Sequence, residues 1–190
     1  MSVQVSYKKQ FMLGIIGIVI LLSAVEAVAN VWWITQIHCE FEQNEIFQNF
    51  DEVEKRQLCL DFYNLKTSGD ELIPDQSTDS ITINGLGFRG AEFSEIKPSN
   101  TYRIFMVGGS TMFGAGATSD ETTIPAYLQQ LLNEKNFGFN IEVINSGIQG
   151  ADSYAELKLI EQKLVRFSPD LVIIYDGWND LRANNTPMEV

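Results

Sequence analysis

The chain has 190 residues, 45% of them hydrophobic, enough for one folded core and hardly for two. Thirteen basic residues against 25 acidic ones leave a formal charge of −12. No basic cluster follows the amino terminus, which argues against nucleic acid or another polyanion as partner.

Lys8-Lys9 precede Phe11 to Ala29, nineteen residues interrupted only by glycines, Ser23 and Glu26, with Trp32-Trp33 just beyond. That stretch is long enough to cross a bilayer as a helix. It predicts a single-pass anchor with the lysines in the cytoplasm and everything after Gln36 outside the cell membrane. Ala27-Val28-Ala29 has the small-x-small form of a signal cleavage site, so secretion after cleavage near Ala29 is the competing reading. The length of the apolar stretch, prolonged by Trp32, Trp33, Ile34 and Ile37, favours the retained anchor. Glu26 lies near the outer end, where a carboxylate reaches headgroup water at little cost. Past residue 36, 11 basic residues stand against 24 acidic ones.

The only two cysteines, Cys39 and Cys59, lie on the exported side, where a disulfide persists. Phe41 to Phe62 also has helical periodicity through Phe47, Phe50, Val53 and Leu58. A continuous helix would hold the two cysteines about 30 Å apart, against the roughly 4.4–6.8 Å between α-carbons that a bridge allows. An intrachain bridge and an unbroken helix therefore exclude each other. Neither cysteine reads as catalytic, and His38 beside Cys39 lacks the ligand count of a structural zinc site, so no metal is expected.

Gly69 to Ser80 is acidic, carries Pro74 and reads as a linker or exposed loop. Ile81 to Gly90 starts like a strand and breaks into three glycines, which suggests a tight arm packed on the main sheet, with Arg89 in a structural ion pair. From Thr101 the pattern is regular. Strand Tyr102–Val107 leads through a glycine-rich turn to a helix near Ile124–Glu134, with Leu128, Leu131 and Leu132 inward. Strand Ile141–Asn145 leads to a helix near Ser153–Phe167, with Leu157, Ile160, Leu164 and Phe167 inward. Strand Leu171–Tyr175 then runs into Asp176-Gly177-Trp178-Asn179-Asp180. Strands alternating with amphipathic helices make an α/β fold with a parallel sheet and right-handed crossovers.

In such a sheet the turns after the strands open on one edge, so those at Ser110, Gly150 and Asn179 converge. Ser110 follows Gly108-Gly109 and is either a helix cap or a nucleophile. A hydroxyl that can attack a carbonyl, beside backbone N–H groups and a side-chain amide that can receive the oxyanion, is what acyl transfer needs. One such donor is worth about 2.7–4 kcal/mol in the transition state. Glycine at 150 would let the backbone approach closely. Two other glycine motifs drop out: Ala115 stands where a phosphate-binding loop needs lysine, and Gly114-Ala115-Gly116 lacks the third glycine of a dinucleotide turn.

At these residues the sequence resembles the SGNH (GDSL-type) hydrolases. Gly108-Gly109-Ser110-Thr111 with Phe113-Gly114 is similar to their first block, Asn145-Ser146-Gly147-Ile148-Gln149-Gly150 to the second, and Gly177-Trp178-Asn179-Asp180 to the third. The resemblance implies a flavodoxin-like three-layer αβα sheet, here partial. Ser110 would be the nucleophile, and Ser110, Gly150 and Asn179 would line the oxyanion hole. It also implies an ester substrate and no cofactor, with Trp178 walling the substrate pocket. The chain then divides into an anchor at 1–36, a juxtamembrane helix and acidic linker at 37–80, and part of a hydrolase domain at 81–190. The family's fourth block, Asp-x-x-His, is not found, and His38 is the only histidine. A truncated chain is the expectation, nearly inactive by itself, because a serine hydroxyl needs a base. The alternative is an inactive binding module or a subunit completed by a partner. Asn184-Asn185-Thr186 is a formal glycosylation sequon.

Overall fold

The computed structural model describes residues 6–36, 39 and 45–183; the expected sequon at 184–186 and His38 lie outside them. The chain divides into two compact units, Met1–Cys39 and Glu40–Val190. The first is one helix, α1 (Tyr7–Gln36). Its portion Tyr7–Trp33 is long and apolar enough to cross a membrane, about 40 Å at the helical rise of 1.5 Å per residue. All its described side chains are exposed, so its apolar surface packs on no core within this unit.

The second unit opens with a 3-10 turn (Glu45–Phe47) and helix α2 (Glu52–Tyr63). The helix starts later than its periodicity suggested. Asp51 accepts hydrogen bonds from the Val53 and Glu54 amides at 2.8 Å each, while the Glu54 carboxylate takes the Asp51 N–H at 3.0 Å. This capping box sets the first turn; the earlier residues 41–44 lie outside the described ones. Cys59 lies buried in α2, and no free cysteine occurs among the described residues.

The acidic stretch from Gly69 is mostly exposed, as read from the sequence, but two short strand pairs pin it. Strands β1 (Thr67–Ser68) and β2 (Glu71–Leu72) form a hairpin, and β3 (Gln76–Ser77) pairs antiparallel with β4 (Thr82–Ile83). Leu72, Ile81 and Ile83 are buried with Phe62 and Phe113. Lysines from later in the chain answer the acids: Lys158 meets Asp70 at 3.2 Å and Lys163 meets Glu71 at 3.1 Å. The arm from Ile81 to Gly90 folds back through an Ile83–Arg89 bridge and reaches the main sheet through an Arg89–Asn145 bridge.

That sheet is parallel and three-stranded, ordered β6-β5-β7, with β5 (Thr101–Gly108) between β6 (Asn140–Gly147) and β7 (Leu171–Tyr175). Gly108 pairs with both Gly147 and Tyr175, so the three carboxyl ends are level. Alternate residues of β5 enter opposite cores, as strand geometry requires. Phe105 and Val107 join Leu159, Leu164 and Phe167 on the face of helix α5 (Ser153–Gln162) and the 3-10 turn Leu164–Phe167. Ile104 and Met106 join Leu128 and Leu132 on the face of helix α4 (Ile124–Asn133). The result is an αβα arrangement of the flavodoxin-like kind.

Two inward assignments need correction. Leu131 is 59% exposed and Leu157 52% exposed. On α4 the row one turn apart, Leu128 and Leu132, already covers the sheet. On α5 the inward row is Ala155, Glu156, Leu159, Ile160 and Lys163, so an acid and a lysine occupy positions where an apolar period was read.

The edges and the lower end of the sheet are tied by polar side chains. Gln129 donates to the Ile141 carbonyl at 3.0 Å and accepts from the Val143 amide at 2.7 Å, closing part of the outer edge of β6. Arg103, fully buried in β5, bonds Glu142 at 2.8 Å and the carbonyls of Ser94 and Phe167 at 2.8 and 2.9 Å, with its guanidinium over the Phe93 ring. On β7, Leu171, Ile174 and Tyr175 are exposed, and β5 is its one strand partner among the described residues.

Candidate active site

Strand β5 ends at Gly108, Gly109 holds the cap position, and Ser110 is the first residue of a one-turn helix, α3 (Ser110–Phe113). The capping alternative for Ser110 is thereby answered: the cap is Gly109, and no side-chain cap bond forms. Ser110 is half-buried, and among the described residues no group bonds its hydroxyl.

The turn is held from beneath. A β-carbon on Gly147 would collide with the backbone of Met112 and Phe113, so α3 sits directly on the end of β6. Asn145 donates to the Phe113 carbonyl at 3.0 Å and accepts from the Gly147 amide at 3.0 Å. Arg89 adds bonds to the carbonyls of Phe113 (3.2 Å) and Gly114 (2.8 Å), to Ser80 (3.0 Å) and to Asp120 (2.8 Å). It is the structural ion pair the sequence suggested, 3% exposed, with burial drawing its pKa down against the pull of Asp120.

The second turn leaves β6 through Ile148, whose amide donates to the Gly108 carbonyl at 2.9 Å. Gly150 is exposed at φ +76°, and a β-carbon there would meet nothing within 4 Å. Glycine suits this left-handed backbone, and no protein atom crowds the position. The third turn leaves β7 through Asp176 and Gly177 into helix α6 (Trp178–Ala183).

Here the turns meet. Asn179 Nδ2 donates to the Ala151 carbonyl at 2.6 Å. A β-carbon built on Gly109 would stand 2.5 Å from that same Nδ2 and 3.4 Å from the Ala151 oxygen. Gly109, Ala151 and Asn179, each one residue or less from a predicted site position, are thus in contact range. Beside them opens a crevice of about 330 Å³ lined by Ser110, Thr111, Tyr175, Trp178, Asn179 and Leu181 among others. Trp178 is 71% exposed along its wall. No group of three or more metal-ligating side chains occurs among the described residues.

The model of the GDSL-like Lipase/Acylhydrolase family matches residues 106–190, the span that supplies all three turns. That span is similar to this family. Among solved structures, AlinE4, described as an SGNH-hydrolase family esterase, and a point mutant of it are each 30% identical to this chain, with a TM-score of 0.38. The match covers 49% of this chain and 49% of theirs, so the chain spans about half the length of these relatives. No curated protein matches the chain.

Carboxyl groups gather at the GDSL-like turns: Asp176 and Asp180, which the sequence placed there, and Asp152 and Glu156, which it did not single out. Asp180 Oδ1 accepts from the Ser153 amide (3.0 Å) and hydroxyl (2.7 Å), pinning α6 to the start of α5 and holding the Asp180 carboxyl below its ordinary pKa. Asp152 caps α5 through the Ala155 amide at 2.9 Å. Asp176 is pushed up, first by partial burial and then by the nearby Asp180 and Asp152. Glu156 is 3% exposed and neither carboxyl oxygen has a hydrogen-bond partner among the described residues. Burial, then the charges of Asp176, Asp180 and Asp152, raise its pKa to about 8, so it is mostly protonated at neutral pH. The available signal was an acid three residues before Leu159, on the side of the helix that faces the sheet.

Proposed function

We propose that this chain is a serine ester hydrolase held at the cell membrane by α1, with residues 37–190 outside the cytoplasm and 81–190 forming part of the hydrolase domain. Ser110 is the nucleophile. The N–H groups of Ser110 and Gly150 and the Asn179 amide receive the oxyanion, and Trp178 walls the acyl or alcohol group. The observation that carries this reading is the meeting of Gly109 with the Asn179 amide beside an open crevice that holds an unbonded serine hydroxyl.

In the reaction, Ser110 Oγ bonds to the acyl carbon, the ester C–O bond breaks, and the serine proton passes to the leaving alcohol. Water then cleaves the acyl-serine. Oxyanion donors need not move to act, which is why fixed turns suit this chemistry. The proton transfer needs a base, and His38 is the only histidine in the 190 residues. Asp176 and Asp180 are weak bases for a serine hydroxyl. The 190 residues by themselves therefore turn over esters slowly, retaining roughly the 10³–10⁴-fold advantage over water that oxyanion stabilisation and binding supply without a complete triad.

The exposed apolar wall formed by Tyr175 and Trp178 fits a second reading, in which the crevice binds an acyl or glycan ligand without cleaving it. Hydrolysis of a p-nitrophenyl butyrate ester by the full chain separates the two. The hydrolase reading expects a slow rate that disappears in Ser110→Ala; ligand binding that survives Ser110→Ala, with no turnover in the parent chain, supports the binding module instead.

A further inference from the structure

We propose, resting on the reading of the crevice as an ester site, that it selects its substrate by charge: esters that are uncharged or cationic near the scissile bond are admitted, and phosphate-, sulfate- or carboxylate-bearing esters are excluded. Two separate observations meet in this. The described walls of the crevice offer exposed apolar surface from Tyr175, Trp178 and Leu181 and no basic side chain. Among the described side chains, the charged group that lines the crevice is Asp176, from the turn after β7, and the charges nearest to it are Asp180 of α6 and Asp152 at the start of α5.

The lysines of α5 do not neutralise this cluster. Lys158 is paired with Asp70 and Lys163 with Glu71, on the hairpin β1–β2. Arg103 is committed to Glu142 and Arg89 to Asp120. The protein's own interior reports the resulting potential. Glu156, buried beside the three aspartates, is driven to its neutral form first by burial and then by their charges. Those aspartate charges, which add to burial in keeping Glu156 neutral, act with the same sign on the phosphate of an anionic ester. An ester with an uncharged alcohol meets only the apolar wall, and a cationic one is attracted.

The test uses the full chain in phosphatidylcholine nanodiscs, labelled with fluorotryptophan, with the Trp178 fluorine resonance assigned through Trp178→Phe. Three hexanoyl esters are titrated: of glycerol (neutral), of choline (cationic) and of glycolic acid (anionic). The proposal expects the neutral and cationic esters to shift the Trp178 resonance at concentrations at least about tenfold lower than the anionic one. It further expects this gap to narrow in Asp176→Asn and as salt is raised to roughly 0.5 M. An anionic ester that shifts the resonance as readily as the neutral one overturns charge selection while leaving the ester site in place. If no ester moves the resonance, the ester-site reading itself fails and charge selection falls with it.

Discussion

The two ends of the central strand bury ionisable side chains in opposite ways. At the amino-terminal end, Arg103 has no exposure, yet a carboxylate, several carbonyls and an aromatic ring satisfy its guanidinium. At the carboxyl end, Glu156 is almost as deeply buried and has no hydrogen-bond partner among the described residues, with three aspartates as its electrostatic neighbours. Burying a charge is costly unless it is paired, so the first arrangement holds the fold together and the second works against it. Uncompensated polarity gathers where ligands bind in open parallel sheets, and it gathers here around Ser110 and Asn179. The comparison separates the framework of this molecule from its chemistry.

The largest effect expected from breaking this contrast is at the satisfied end. Arg103→Ala leaves Glu142 and the carbonyls of Ser94 and Phe167 without their donor, and should cost roughly 3–5 kcal/mol in a denaturant titration. Next comes the link between framework and site. Gly147→Ala forces α3 off the end of β6; we expect a loss of about 2–4 kcal/mol and a displaced Ser110, read by thermal unfolding and by loss of active-site labelling. Smallest, and of opposite sign, is Glu156→Gln.

The sign follows from the raised pKa of Glu156. Between the ordinary carboxyl pKa of 4.5 and the folded value of about 8, the folded chain holds a proton that the unfolded chain has released. Stability contributed at this site is therefore present below pH 4.5 and falls progressively as pH rises to about 8. Glutamine, which does not titrate, should raise the melting temperature by at least about 4 °C near pH 8 and by little near pH 4.5. A shift of equal size at both pH values would show that the carboxyl is not titrating as described.

Much of the sheet was legible because β5, from Ile104 onward, and β7 are apolar runs ending in glycine-bearing turns, a pattern typical of parallel strands. The convergence of the Ser110 and Asn179 turns followed from topology alone. What escaped was decided by side chains acting out of type. Glu156 and Lys163 hold inward positions on α5, which turned the apparent apolar face toward Leu157. The acids at 70 and 71 pair with Lys158 and Lys163, 88 and 92 residues away, a distance over which local composition carries no information. The start of α2 at Asp51 was present in the sequence as Asp51-x-x-Glu54 but yielded to the longer periodicity around it.

The central claim is that this crevice presents a reactive serine, and covalent labelling tests it most directly. The full chain in membranes is exposed to a fluorophosphonate probe, and the labelled peptide is located by mass spectrometry. The account predicts slow labelling at Ser110 that is lost in Ser110→Ala and weakened in Asn179→Ala. A folded chain that stays unlabelled at Ser110, or that labels equally well without it, would contradict the account.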